Sequence, residues 1–208
     1  VAINVGQPPS SDDIVARALR NGAIKAEFVD AKKEFVEEYI WPSLKANAMY
    51  EDVYPLSTAI ARPLIVKILV EIAQREGAKY IAHGCTAKGN DQVRFDLTFQ
   101  ILAPEIEIIT PTRDMTLTRE YEINYLKEHG FEADFTKMAY SINKGVWGTS
   151  VGGKETLCSA TNLPDTAYPS QLKKEGTESL EIEFKNGEVV GVNGEVVSGV
   201  AAINKLEA

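Results

Sequence analysis

Apolar and polar residues alternate in two periods as far as Gly130, and the switches between them set out an order of strands and helices. Val1-Ala2-Ile3-Asn4-Val5 reads as a strand. Gly6-Gln7-Pro8-Pro9 and Ser10-Ser11-Asp12-Asp13 follow as a loop ending in residues suited to cap a helix. Ile14, Val15, Ala18 and Leu19 share one face of the helix predicted over 14–21, Gly22 stops it, and 26–29 reads as a short strand. A helical stretch over 33–45, broken near Pro42, leads to Tyr54-Pro55-Leu56-Ser57-Thr58. A long helix is predicted over 59–76, closed by Gly77, with Pro63 fitting its first turn or kinking it. Residues 79–82 form a buried strand, 93–102 a helix, 105–109 a strand, and 117–129 a helix closed by Gly130.

Strands alternating with helices of this length predict parallel βαβ crossovers, hence an α/β, Rossmann-like parallel sheet with helices on both faces. A ligand site is then expected at the carboxyl ends of the strands. Beyond Gly130 the pattern changes. Residues 141–153 are rich in turn formers, and 180–197 alternate around Asn186-Gly187 and Asn193-Gly194, two hairpin signals. The expected organisation is an α/β domain over 1–155, then a linker and small β-hairpin appendage over 156–208 that begins a second domain.

Composition narrows the function classes. The 208 residues carry 22 Lys+Arg against 30 Asp+Glu, a net charge of −8, which disfavours a general nucleic-acid or anionic-membrane surface. Apolar runs such as Pro63-Leu64-Ile65-Val66 stop far short of the roughly twenty residues that span a bilayer. Cys85 and Cys158 alone cannot build a disulfide framework or a four-thiolate zinc site, and no signal peptide opens the chain, so a cytoplasmic setting is expected. Val1 is no initiator Met, and the strand there reads as already under way, so the chain is expected to start partway into a longer protein.

The chemistry concentrates in 83–94. Gly84 and Gly89 bracket a loop at a strand end that gathers Thr86, Lys88, Asn90, Asp91 and Gln92 just before a helix. Such a loop offers backbone N–H groups, a hydroxyl, an amide and opposed charges, which suits a small zwitterion or a nucleotide. Asp91 could pair with an amino group, Thr86 and Asn90 with a carboxylate, and Arg94 could clamp another carboxylate. The competing reading is structural: Asn90-Asp91 caps the helix and Gly89 supplies an unusual backbone angle. His83 and Cys85 resemble half a metal site or a nucleophilic pair, but core or capping roles for them and for His129 weigh more. Glu34, Glu37 and Glu38 read as a solvated helix face, Arg113 and Arg119 as helix-entry and surface charge, and Trp41 and Trp147 as anchors.

Three segments, in order, carry a resemblance: Tyr54-Pro55-Leu56-Ser57-Thr58-Ala59-Ile60-Ala61-Arg62-Pro63, then Ala82 through Phe95 with Gly84-Cys85-Thr86-Ala87-Lys88-Gly89-Asn90-Asp91-Gln92-Val93-Arg94, then Ser141-Ile142-Asn143-Lys144-Gly145-Val146-Trp147-Gly148-Thr149-Ser150. Together they resemble the argininosuccinate synthase family over nearly the whole chain. The resemblance implies an adenine nucleotide α-hydrolase-like, N-type ATP pyrophosphatase fold and a C–N ligase of arginine biosynthesis. Such a ligase joins citrulline and aspartate using ATP with Mg²⁺, as a homotetramer in the full-length family. By motif it implies aspartate contacts from Thr86, Asn90 and Asp91, and citrulline contacts from Tyr54, Asn90, Arg94, Ser141 and Ser150. Ile3 and Gly84 would line the ATP site. No protein nucleophile or acid–base residue is implied, because positioning carries the chemistry.

There are departures. The family's Ser-Gly-Gly-x-Asp-Ser/Thr pyrophosphate loop occurs nowhere in these 208 residues, and the family's long synthetase part and C-terminal oligomerisation helix are expected to lie past Leu206. Ala59 stands where many relatives have serine, and Asn143, Lys144 and Gly145 replace an acidic pair and an asparagine. Two other readings stay open: a non-catalytic or shortened amino-acid-binding or assembly protein derived from this family, and another adenylating enzyme of the same fold.

Overall fold

A computed structural model of the chain describes residues 1–7, 11–86, 89–131, 140–173 and 176–207. Pro8, Pro9, Ser10 and Lys88, all singled out in the sequence, lie outside these residues, as does the side chain of Arg119. The chain divides into two compact units, Val1–Ala61 with Ile142–Ala208, and Arg62–Ser141.

The first unit opens with strand β1 (Ala2–Asn4), helix α1 (Ser11–Arg20) and strand β2 (Phe28–Asp30). β1 and β2 pair in parallel with Ile3 opposite Val29, the expected βαβ arrangement. Asp12 and Asp13 in the first turn of α1 and Arg17 and Arg20 in its last complement the helix dipole. Next comes a helical run in three segments: α2 (Lys32–Glu34), a π-helical stretch (Phe35–Ile40) and α3 (Trp41–Lys45). The break expected near Pro42 is instead a widening. Pro42 has no N–H to continue the α register, and the turn before it closes with the Trp41 N–H on the Val36 carbonyl. That register turns Phe35, Val36, Ile40 and Trp41 inward together, all buried.

Helix α4 (Ser57–Arg75) starts in the first unit and continues in the second, with Pro63 inside it. Strand β3 (Tyr80–Ala82), helix α5 (Asp91–Leu102), strand β4 (Glu107–Ile109), the short α6 (Pro111–Asp114) and α7 (Arg119–Glu128) complete the second unit. β3 and β4 pair in parallel, Ile81 opposite Ile108, a second βαβ. The core of this unit is Val66, Val70 and Ala73 of α4, Ile81 of β3, Phe99 of α5, and Ala103 and Ile106 between α5 and β4. Thr118 caps α7 by accepting the Tyr121 N–H at 3.2 Å.

Strands β5 (Tyr140–Gly145) and β6 (Gly148–Gly153) form a hairpin where the sequence showed only turn formers. After two short 3₁₀ turns, β7 (Ile182–Lys185), β8 (Glu188–Val192) and β9 (Glu195–Val196) make an antiparallel meander. Its two turns are the predicted ones: Asn186-Gly187 and Asn193-Gly194 all have positive φ, as tight hairpin turns require. The chain then adds a helix that the β pattern did not announce, α8 (Gly199–Glu207), entered at Ser198, whose hydroxyl accepts the Ala201 N–H at 3.3 Å. The fold is α/β, its described parallel strands forming two separate pairs, β1–β2 and β3–β4, and the strands after them two further sheets. Among the described residues no helix is long and apolar enough to cross a membrane.

Phe99 is 1% exposed at the centre of the second core, whereas Leu97, two residues away, is 54% exposed. Phe99→Ala is expected to cost about 3–5 kcal/mol of unfolding free energy and Leu97→Ala less than about 1 kcal/mol, read from denaturant titrations. Equal costs would contradict this core assignment.

Candidate functional site

In the second unit the chain leaves β3 at its carboxyl end, runs through 83–90 and enters α5 at Asp91. Gly84, Thr86, Asn90, Asp91 and Arg94 are thereby gathered along one strand-to-helix connection. Gly89 has φ +106°, a backbone that side-chain-bearing residues avoid. Asn90 precedes the helix in a helical conformation and makes no capping hydrogen bond with its side chain, so the purely structural reading of Asn90 loses its main support. Asp91 sits between two guanidinium groups: Arg62 Nη2 lies 2.9 Å from Oδ2 and Arg94 Nη1 3.3 Å from Oδ1. Sequence alone gives Asp91 and Arg94 opposite ends of a ligand; in the structure they pair with each other, and Asp91 also with Arg62, whose side chain is only 13% exposed. The signal was present, since a helix of apolar character places a charge there, but nothing local marks its partner 29 residues on.

Below this loop lies a second charged group. His83 Nε2 is 2.8 Å from Asp96 Oδ1, and the other Asp96 oxygen takes a short hydrogen bond from Arg113. Arg113 also donates to Thr110 Oγ1 at 2.8 Å, and the Thr110 hydroxyl donates to Asp114 at 2.8 Å. Arg113, expected to be helix-entry and surface charge, therefore holds a half-buried carboxylate. Partial burial of Asp96 pushes its pKa up, but the hydrogen bonds and charges of Arg113 and His83 outweigh burial and hold it below the ordinary carboxylate value. Cys85 moves the other way: burial, then the charges of Asp91 and Asp96, raise its thiol pKa against the opposing pull of Arg62 and Arg113. A thiol held protonated, beside a histidine committed to Asp96, is a poor nucleophile. Among the described residues no three His, Cys, Asp or Glu side chains stand together to hold a metal ion. His129 lies at the C-terminal end of α7, its Nδ1 2.8 Å from the Tyr125 carbonyl, a capping position.

In the first unit Ile3 lines a small apolar cavity of about 140 Å³ with Ala2, Asn4, Gln7, Ile14 and Phe28. The end of β1 is fixed by Asn4, whose Oδ1 accepts the Gly6 and Gln7 N–H groups at 2.8 and 3.0 Å. The β5–β6 turn packs onto this end: the Val146 N–H donates to the Val5 carbonyl at 2.8 Å. A Cβ on Gly6, at φ +119°, would lie 2.3 Å from the Val146 nitrogen, so only glycine fits. Trp147, whose Nε1 donates to the Pro55 carbonyl at 3.0 Å, anchors that turn beside the start of α4, as expected of an anchor.

Tyr54 lies just before α4, its phenol oxygen bonded to Thr58 Oγ1 at 3.0 Å and accepting the Thr58 N–H at 3.2 Å and the Ser57 hydroxyl at 3.5 Å. Burial raises its pKa, but these hydrogen bonds together lower it below the ordinary phenol value. Ser150 stands on β6, partly buried, and Ser141 on β5, exposed. Two of the departing residues have local work: Lys144 pairs with Glu207 at 2.9 Å, and Gly145 packs so closely that a Cβ would meet the Val5 carbonyl at 3.2 Å.

The family model described as the arginosuccinate synthase N-terminal HUP domain matches residues 1–132. The chain belongs to the argininosuccinate synthase family. It is 45% identical over 207 residues to the argininosuccinate synthase of Sulfurisphaera tokodaii, covering 99% of this chain and 53% of that protein. It is 46% identical over 211 residues to that of Methanocaldococcus jannaschii (99% and 53%) and 43% identical over 210 residues to that of Pyrococcus furiosus (99% and 51%). The chain thus spans about half the length of the curated relatives it matches. The parallel β1–β2 and β3–β4 pairs lie within the residues matched as the HUP domain.

A carboxylate whose pKa is lowered by folding adds stability above its unfolded pKa of roughly 4, and that stability is lost as pH falls through the lowered value. Asp96→Asn should therefore melt below the wild type at pH 7, with the gap closing as pH drops below about 4. A gap unchanged down to pH 3 would show that Asp96 carries no such linkage.

Proposed function

We propose that this chain is the nucleotide- and amino-acid-binding part of an ATP-dependent ligase that joins citrulline to aspartate. Family membership supports this reading, and the arrangement of Asp91 between Arg62 and Arg94 at the mouth of β3 carries it. A carboxylate flanked by cations, on a chain segment that also carries Asn90 and Thr86, is matched to an amino acid, which brings one ammonium and two carboxylates when it is aspartate. On this reading Thr86, Asn90 and Asp91 hold aspartate, and Tyr54, Asn90, Arg94, Ser141 and Ser150 hold citrulline. Ile3 with its apolar cavity and the open backbone at Gly84 receive ATP.

The reaction follows in two steps. The ureido oxygen of citrulline attacks the α-phosphorus, the bond to the β-phosphate oxygen breaks, and pyrophosphate leaves. The aspartate amino group then attacks the ureido carbon of the citrullyl-adenylate, AMP departs with the C–O electron pair, and a proton is lost from nitrogen. The residues named bind and orient, and a neutral nucleophile needs that more than it needs a base. Mg²⁺ would be carried by the ATP phosphates and water, since the described residues offer no cluster of ligands for it. Residues 1–155 would form the nucleotide-binding domain and 156–208 the beginning of the synthetase domain of a cytoplasmic homotetramer in arginine biosynthesis.

The test is a chimera in which this chain replaces the matching segment of the Sulfurisphaera tokodaii protein, assayed with citrulline, aspartate and ATP. Argininosuccinate, AMP and pyrophosphate should form in equal amounts. Asp91→Ala should raise the KM for aspartate at least tenfold, about 1.4 kcal/mol or more, with a smaller change for citrulline. Aspartate binding without pyrophosphate release would favour the non-catalytic reading, and an unchanged aspartate KM would remove Asp91 from the site.

A further inference from the structure

We infer that His83 is a positioning residue for the ligand loop: its ring holds the backbone at Cys85, and so aims Gly84 and Thr86, through a tautomer fixed by Asp96 and Arg113. This rests on the reading of 84–94 as an aspartate and ATP site and deepens it. The β3–β4 ladder ends where the His83 N–H donates to the Ile109 carbonyl at 3.1 Å. Past that point the main chain must turn with no strand to pair with. The next N–H beyond Gly84, that of Cys85, donates to His83 Nδ1 at 3.3 Å. A ring nitrogen that accepts is unprotonated, so the proton resides on Nε2 and is donated to Asp96 Oδ1 at 2.8 Å. Asp96, also held by Arg113, is an acceptor only, which excludes the other tautomer.

The ring cannot swing away. Its side chain is 6% exposed, parallel to Phe99 within 10° at a centroid distance of 6.3 Å and tilted against Phe95 at 5.5 Å. Two aromatic walls, one acceptor and one main-chain donor thus fix both ring angles, and Cys85 inherits that rigidity. Gly84, between the two bonded residues, has only the Thr112 hydroxyl within 4 Å of a would-be Cβ, at 3.9 Å, so its backbone stays open for a ligand to approach. A purely packing histidine would need the walls alone. Here both nitrogens are used, one on the loop and one on the network beneath it.

Two substitutions separate the nitrogens. In His83→Asn the amide oxygen falls near Nδ1 and can still accept from Cys85, while the donor to Asp96 is lost. In His83→Gln the longer amide reaches the Nε2 position and can still donate to Asp96, while the acceptor for Cys85 is lost. Both variants drop one hydrogen bond, so both should melt lower than the wild type. In the full chain, Cys85 amide-exchange protection read by NMR should survive in His83→Asn and vanish in His83→Gln. The aspartate dissociation constant from calorimetry should rise about tenfold in His83→Gln and less than about threefold in His83→Asn. Equal affinity losses, or losses that follow melting temperature and not the Cys85 amide, overturn the inference while leaving the aspartate site standing. A wild-type chain that binds no aspartate overturns the site reading itself, and the positioning role with it.

Discussion

The end of strand β3 is the constraint on which the rest of the site depends. A parallel strand pair exhausts its ladder at His83, and the chain must then cross from a hydrogen-bonded backbone to the first turn of α5 within eight residues. In that interval every N–H needs a new partner or a ligand. One goes to the His83 ring, and the Arg94 N–H returns to the Asn90 carbonyl as the helix begins. At Gly84 the backbone is open, with only the Thr112 hydroxyl within 4 Å of a would-be Cβ, at 3.9 Å. Apolar packing of Phe99 and Ile81 below keeps the strand and helix at fixed spacing, so the loop's reach is set by the core.

Charge does the complementary work. The chain is acidic overall, yet Arg62, Arg94 and Arg113 sit with Asp91 and Asp96 in this one region, a local balance that net charge conceals. The two carboxylates divide the roles. Asp96 lies deeper, saturated by His83 and Arg113, and acts as structure. Asp91 is nearer the surface, held by two arginines at 2.9 and 3.3 Å, in pairs that solvent screens.

The sequence made legible what local rules control. Asn186-Gly187 and Asn193-Gly194 specify their turns by backbone angle alone, and strand–helix alternation specified parallel pairing. The loop from Gly84 to Arg94 stood out because residue types with different chemistry crowd a strand end. What escaped depended on distant partners. Arg113 looked like surface charge because Asp96 lies 17 residues earlier, and Arg62 was passed over because Asp91 lies 29 residues later. The β5–β6 hairpin was masked by its glycines, which suggest a loop until Gly6 and Val5 are seen to require a close-packed tip at Val146. The π register before Pro42 and helix α8 after Ser198 were likewise set by packing that no short window contains.

The central question for this molecule is whether the end of β3 reads an amino acid. The most direct measurement is a crystal structure of the chain with L-aspartate. It should place the ligand's ammonium within hydrogen-bond distance of Asp91 and a carboxylate on Thr86 and Asn90, with the His83 to Asp96 bond unchanged. Aspartate bound elsewhere, or an unaltered Arg62–Asp91–Arg94 cluster with no ligand at saturating aspartate, would contradict it.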